Sequence, residues 1–574
     1  MPTQLEAAPR APLAGAFRVG PRLPWLKIGS GGLAFLTLVP ILVLFSSLFE
    51  PADDVWRHML EFVLPELLWN TLWLVLGVAI GTLVLGIGLG WLTAVCTFPG
   101  VRFFSWALLL PLAVPAYVIA FVMIGMLDFT GPLQTALRGL FGPLPWFPRI
   151  RSRGGIIAVM TLAFYPYVYL LARNAFMTQG KRAIEAAQLF GLSNTASFFR
   201  IALPMARPWI IAGLTLVLME TLADFGAVSI FNYDTFTTAI YKAWFGLFSL
   251  TAAAQLASIL VVLVFALLLV EQQSRLRVRY SQSGRSDRST ARIHLRGWRA
   301  AAAFACAAIV LLAAFIAPLI QLLIWAVSEI EREFDISYWG YLLHSVILAA
   351  LAAVLIVFAA LLLAYTHRRG SGLLTRAAIR VATLGYAVPG TVLAVGIFIP
   401  IAWLDRELIG ISKALSFNHG SAILQGTLAA VLLAYLVRFL AVGFGSVDSA
   451  MQRISRNIDD AAQALGRSSF AMIAQVHLPM LRAGLSTAAT LVFVDVMKEM
   501  PITLMTRPFG WDTLAVRIFE LTSEGEWERA ALPAVALVLA GLVPIVLLTR
   551  KAELPDVATE RRAAAHRMAI LERQ

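Results

Sequence analysis

The stretch Glu185 to Pro208, EAAQLFGLSNTASFFRIALPMARP, is written twice in this chain. It returns at Asp460 as DAAQALGRSSFAMIAQVHLPMLRA, with Glu185/Asp460, Gly191/Gly466, Ser193/Ser468, Leu203/Leu478 and Pro204/Pro479 all 275 residues apart. A fixed long offset held over about twenty residues is the mark of a duplicated unit. Both copies are polar islands between apolar segments, which places them at a membrane surface rather than inside the bilayer. Each reads as helix, turn, helix, stop. Glu185 with Ala186 and Ala187, or Asp460 with Ala461 and Ala462, begins a short helix whose positive end suits an acid. Gly191 and Gly466 suit a left-handed helix terminus. Ser193 and Ser468 stand at the N-cap of a second helix. Pro204 and Pro479 close it, because a residue before proline avoids the α region.

Composition says which solvent surrounds these islands. Of 574 residues, 59% are apolar and 14% charged, and mean hydropathy is +0.79. Soluble chains run at about half apolar and about a quarter charged, so this is an integral membrane protein. The net charge of +13 is no sign of nucleic acid, given where the basic residues fall. Cys96 and Cys306 lie in apolar runs and indicate neither a disulfide framework nor a thiolate metal site. Gly77-x3-Gly81 and Gly86-Ile-Gly88-Leu-Gly90 look like part of a phosphate loop but sit in an apolar run, where glycines serve close helix packing. There is no G-x4-G-K-[ST], so the chain has no nucleotide-binding loop of its own.

The chain divides into a polar arm (1–30), a first transmembrane domain (31–274), a basic linker (275–300), a second transmembrane domain (301–549) and a basic tail (550–574). The apolar run from about 31 to 49 is long enough to span, and reads as an uncleaved first helix. Further spans are expected near 67–95, 105–126, 155–173, 208–230 and 250–270. The second half repeats them near 301–327, 343–365, 377–404, 421–442, 482–506 and 530–549. Ala113-Val114-Pro115 recurs as Ala387-Val388-Pro389, and Asn70-Thr71 stands where His344-Ser345 stands later. The predicted fold is therefore all-α, with about 12 transmembrane helices as two parallel six-helix repeats, unlike the inverted repeats of many secondary transporters. With the N-terminus inside, Lys and Arg concentrate in cytoplasmic segments, as the positive-inside rule expects. Both duplicated loops and both termini are then cytoplasmic. The external loop 127–154 disagrees, carrying Arg138, Arg149, Arg151 and Arg153. A surface for an acidic partner and simple tolerance in a long loop are both open.

Five charged residues fall inside predicted spans: Glu220 and Asp224 in the fifth, Asp495, Lys498 and Glu499 in the eleventh. Glu220 matches Asp495 and Asp224 matches Glu499 at the same offset of 275. Acids four apart share one helical face, and the helical rise places them at the midplane and in the outer half of the bilayer. A carboxylate there costs about 2.5–3.5 kcal/mol even on the lenient insertion scale, so the four should face the bundle interior or water. They either line a translocation path or form a buried ion pair with Lys498.

The pattern E-A-A-x3-G-x9-I-x-L-P resembles the EAA loop of ABC-importer permeases, which docks on the ATPase subunit. The first copy matches throughout; the second has Asp460 for Glu and Val476 for Ile. The resemblance implies the type I importer fold and assigns coupling to Glu185, Ala186, Ala187, Gly191 and Pro204, and to Asp460, Ala461, Ala462, Gly466 and Pro479. Residues 220–246 and 495–520 further resemble the fused ferric-iron uptake permeases. That likeness implies a bacterial inner-membrane protein that hydrolyses no ATP and binds no cofactor or nucleic acid. Its partners would be two copies of an ABC ATPase subunit, which uses the ATP, and a periplasmic ferric-iron-binding protein. Ferric iron prefers oxygen ligands and suits the carboxylate set. Related permeases carry thiamine or other small solutes, and a proton-coupled secondary transporter using the intramembrane acids is the rival from another class.

Overall fold

The computed structural model describes residues 24–50, 54–143, 145–180, 191–276, 293–370, 372–414 and 423–553. The described chain is all-α apart from one two-residue parallel pair, in which Cys96–Thr97 meets Ile293–His294. Ten helices are long and apolar enough to cross a membrane, and a pair bent by 117°, Leu373–Ala387 with Gly390–Ala414, makes eleven if taken as one span. Ala531–Leu542 is a shorter apolar helix where the last span is expected. Within hydrocarbon every backbone polar group needs an internal partner, and helices supply it.

The elements that position the site are α1 (Pro24–Ser47), α2 (Leu64–Val95), α3 (Val101–Ala107), α4 (Ala116–Leu127), α5 (Pro132–Phe141), α6 (Arg153–Ala175) and α7 (Leu203–Ala223). After the short α8 (Gly226–Ile230) come α9 (Leu250–Leu276), α10 (Trp298–Leu311), α11 (Ala317–Ser328), α12 (Ile336–Arg369), α13 (Leu373–Ala382) and α14 (Gly390–Ala414). The described residues end with α15 (Leu428–Gln452), α16 (Arg456–Ala464), α17 (Leu478–Lys498), α18 (Pro501–Thr506), α19 (Leu514–Ser523) and α20 (Ala531–Glu553). Lipid offers no hydrophobic drive between helices, so small residues that let backbones approach decide which helices pair. A Cβ at Gly77, Gly81 or Gly86 would collide with Ile157, Thr161 or Val168 of α6. One at Gly90 would crowd the Arg173 backbone, whereas Gly88 opens to free space. The glycines of α2 are thus a packing stripe against α6.

Four of the predicted spans are not continuous. Pro115 and Pro389 follow extended residues, Val114 (ψ 126) and Val388 (ψ 128), each after a one-turn 3-10 segment. The fifth span stops at Asp224 (φ −66, ψ 130) and the eleventh at Glu499 (φ −72, ψ 116), with α8 and α18 resuming beyond. The breaks keep the offsets of 274 and 275 seen in the sequence.

The duplicated loops differ from expectation in two ways. Pro204 and Pro479 do not end a helix. Each sits in the first turn of a membrane helix that enters through a π turn, Phe198–Ala202 or Ile473–His477. Proline lacks an N–H and its ring crowds the carbonyl four residues back; the wider π turn absorbs both defects, so the helix runs on. Asp460 does not begin its helix either. α16 starts at Arg456, with Ser455 Oγ accepting from the Asn457 N–H at 3.3 Å, and the first-turn acid is Asp459. Glu185, Ala186 and Ala187 lie outside the described residues.

Candidate functional site

The four breaks meet around one cavity of about 210 Å³. Glu220, Asp224, Asp495, Lys498 and Glu499, predicted from two spans, all line it, joined by Arg438, Tyr117, Tyr167 and Tyr386. Val114 and Pro115 border it from the first half, and Met500 and Pro501 from the second.

The breaks explain how acids are held there. Ending α7 at Ala223 frees Asp224 to cap the next short helix, and its Oδ1 accepts from the Val228 N–H at 3.2 Å. Glu499 does the same for α18, its Oε1 accepting from the Ile502 N–H at 3.1 Å. The interrupted backbone is satisfied in parallel: Thr237 Oγ1 donates to the Asp224 carbonyl at 2.6 Å, and Thr503 Oγ1 to the Glu499 carbonyl at 3.0 Å. Close packing keeps the capping acids in place. A Cβ at Gly390 would come within 2.8 Å of Glu499 Oε1, and one at Gly226 would strike Tyr117.

The buried ion pair with Lys498 that the sequence left open is not formed among the described residues: the Lys498 Nζ donates to the Leu112 carbonyl at 3.2 Å, in the turn before the first-half break. Arg438 is the partner of Glu499. Its Nε lies 3.4 Å from Glu499 Oε2, and its Nη1 donates to the Val388 carbonyl at 2.7 Å, at the second-half break. Glu499 is buried and Arg438 nearly so, with side chains 7% and 13% exposed. Glu220 stands one helical turn before Asp224 and shares the cavity wall with Tyr386. Arg438 was legible in principle, since a charge inside the apolar run 428–452 meets the same criterion as the acids. The duplication hid it, because the matching first-half positions are Ala163 and Phe164.

The arrangement disperses charge rather than concentrating it. Among the described residues no three acidic, His or Cys side chains stand close enough to hold a metal ion. Acids enter the cavity from both halves, but both cations come from the second.

The described parts of the duplicated loops lie at the other end of α7 and α17. Gly191 (φ +81) and Gly466 (φ +73) take the left-handed conformation. Ser193 Oγ accepts from the Ala196 N–H and Ser468 Oγ from the Ala471 N–H, each at 3.2 Å. In the second copy Asp460 and Ala461 are exposed and Ala462 is buried, while Leu465 and Phe470 stand 81% and 78% exposed.

Residues 86–282 match the family model described as the inner membrane component of binding-protein-dependent transport systems. The chain is 28% identical to the Fe(3+)-transport system permease protein FbpB 2 of Haemophilus influenzae over 85% of this chain and 90% of that one. A second Haemophilus influenzae protein, the putative ferric transport system permease FbpB 1, is 24% identical over 84% of this chain and 77% of its own. The putative 2-aminoethylphosphonate permease PhnV of Salmonella typhimurium is 34% identical over only 25% of this chain and 55% of its own.

Proposed function

We propose that this chain is the permease of an ATP-driven importer that takes ferric iron from a periplasmic binding protein across the bacterial inner membrane. The observation that carries the reading is the convergence of Glu220, Asp224, Asp495 and Glu499 on one cavity at the helix breaks. Similarity to Fe(3+)-transport permeases along most of the chain supports it. Half-helix ends and unwound backbone at mid-membrane are how many transporters build solute sites. Hard oxygen donors suit a ferric ion, and conduction needs a site loose enough to release it.

Two ATPase copies dock on the duplicated loops. The left-handed turns at Gly191 and Gly466 expose the loop apices, and Leu465 and Phe470 offer apolar contact. Those loops and both termini face the cytoplasm, and the loops 128–153 and 329–335 face the periplasm, following the distribution of Lys and Arg. ATP is bound and hydrolysed by the partner.

A second reading rests on Arg438 and Lys498. These place two cations in the cavity, as a phosphonate or other small anion would require, and PhnV shares part of the sequence. Proteoliposomes holding the chain, its ATPase and its binding protein decide between the two. ATP-dependent uptake of radioactive ferric iron, undiminished by excess 2-aminoethylphosphonate, is expected. Uptake of the phosphonate without iron would overturn the assignment.

A further inference from the structure

Asp459, one residue before the acid of the second EAA-like motif, ties three elements together. Arg368, at the end of α12, donates to it through two nitrogens, Nε to Oδ2 at 2.9 Å and Nη2 to Oδ1 at 3.0 Å. Such a fork fixes direction as well as distance. The same guanidinium caps the turn leading into α16, with Nη1 donating to the Met451 and Ile454 carbonyls at 3.0 and 2.9 Å. From the other side His477 Nε2 lies 2.8 Å from Asp459 Oδ1, and His477 is 1% exposed at the base of α17. A second link joins the same region: His367 Nδ1 meets Asp448 Oδ1 at 2.8 Å, and Gln452 Nε2 donates to Asp448 Oδ2 at 2.6 Å.

The far end of α17 carries Asp495 and Lys498 and leads directly into Glu499. Twenty-one residues of helix make a rod about 31 Å long between this clamp and the cavity. The matched positions of the first half carry no charged or imidazole side chain. At the repeat offset Asp459 corresponds to Ile184, His477 to Ala202, and Arg368 to Thr93 or Ala94, none of which forms an ion pair.

We infer that Arg368, Asp459 and His477 are positioning residues that make α16, α12 and α17 move as one body, so that displacement of the second docking loop is delivered to the cavity. The matched first-half positions, Ile184, Ala202 and Thr93 or Ala94, cannot form this clamp, and the two halves therefore transmit unequally. This rests on the importer reading above. Docking surface and cavity are each complete without the clamp, so its loss uncouples them while sparing both.

The test uses the full chain with its ATPase subunit and iron-loaded binding protein in proteoliposomes, recording ferric iron moved and ATP hydrolysed together. In Asp459→Asn, hydrolysis stays at the parental level while iron moved per ATP falls by about tenfold, within the range that residues linking two sites impose on coupling. Arg368→Lys keeps the charge but loses the fork, and falls between. His477→Gln, which keeps a donor at the ring's position, retains most of the coupling. A merely structural role predicts otherwise: protein yield, hydrolysis and uptake drop in proportion, with the ratio unchanged, and that result overturns the proposal. Should Asp459→Asn not be recovered from the membrane, the ratio in Arg368→Lys decides, and a parental ratio there also overturns it. Failure of the parent to take up iron with ATP would instead sink the importer reading itself.

Discussion

Glu499 and Asp224 occupy matched positions but carry different burdens. Glu499 faces Arg438 and caps α18 with its two oxygens, while Asp224 caps α8 and no arginine or lysine stands within ion-pair distance of it among the described residues. Removing one member of a buried pair strands the other charge at about 3–5 kcal/mol. Glu499→Gln is therefore expected to lower the folded protein recovered in detergent, and Glu499→Gln with Arg438→Met to restore it, measured by monodisperse yield and thermal unfolding. Asp224→Asn is expected to keep parental yield and lose iron uptake per folded molecule; parental uptake would remove Asp224 from the path. Asp459 gives a pH prediction of definite sign. Burial pushes its carboxyl up, but hydrogen bonds from Arg368 and His477 outweigh burial and hold it below the usual range. A depressed folded value contributes stability that is fully present above the unfolded carboxylate value of about 3.9, and that is lost as pH falls through the folded value. Iron moved per ATP should thus be insensitive to this group between pH 5 and 8, and Asp459→Asn should be the more acid-tolerant chain in unfolding scans below pH 4.

At the level of the element, the duplicated loops show what a sequence discloses and what it conceals. Gly191 and Gly466 were legible as left-handed because only glycine adopts positive φ freely, and the turn after a short polar helix calls for it. Ser193 and Ser468 were legible as caps because their oxygen has one local use, the first free N–H groups of the next helix. Pro204 and Pro479 misled: a proline reads as a stop, and nothing in the residues announces the π turn that carries the helix through. The breaks at Asp224 and Glu499 were concealed for a related reason. Apolar residues continue on both sides, and only tertiary packing around the cavity makes it favourable to spend a carboxylate on capping there. Replacing Gly191 or Gly466 with valine forces a β-branched side chain into positive φ, a strain of about 1–3 kcal/mol at an exposed apex. Insertion is expected to be normal, with ATPase stimulation and transport both reduced; parental hydrolysis in both variants would remove these loops from ATPase docking.

For the whole molecule, the fold class followed from hydropathy and duplication. The grouping of the intramembrane charges around one cavity followed from one further rule, that intramembrane charge must face inward. Sidedness is checked directly by labelling. A cysteine placed at Leu465 should react with an impermeant maleimide only in inside-out vesicles, and one at Trp146 only from the periplasmic face. The reverse pattern would invert the proposed topology.

The uneven supply of cations to the cavity has a bearing on how such a protein can be assembled. Two separate chains paired as identical copies would duplicate every charge. Two first halves would bring four carboxylates and neither Arg438 nor Lys498; two second halves would bring four carboxylates and four cations. Only the unlike pair gives four against two. Covalent fusion lets each half lose or acquire charge independently while the partner's identity is guaranteed. Cut within the linker and produced as two polypeptides, the halves should therefore recover transport only when both are made together, because neither homodimer reproduces the charge of the cavity.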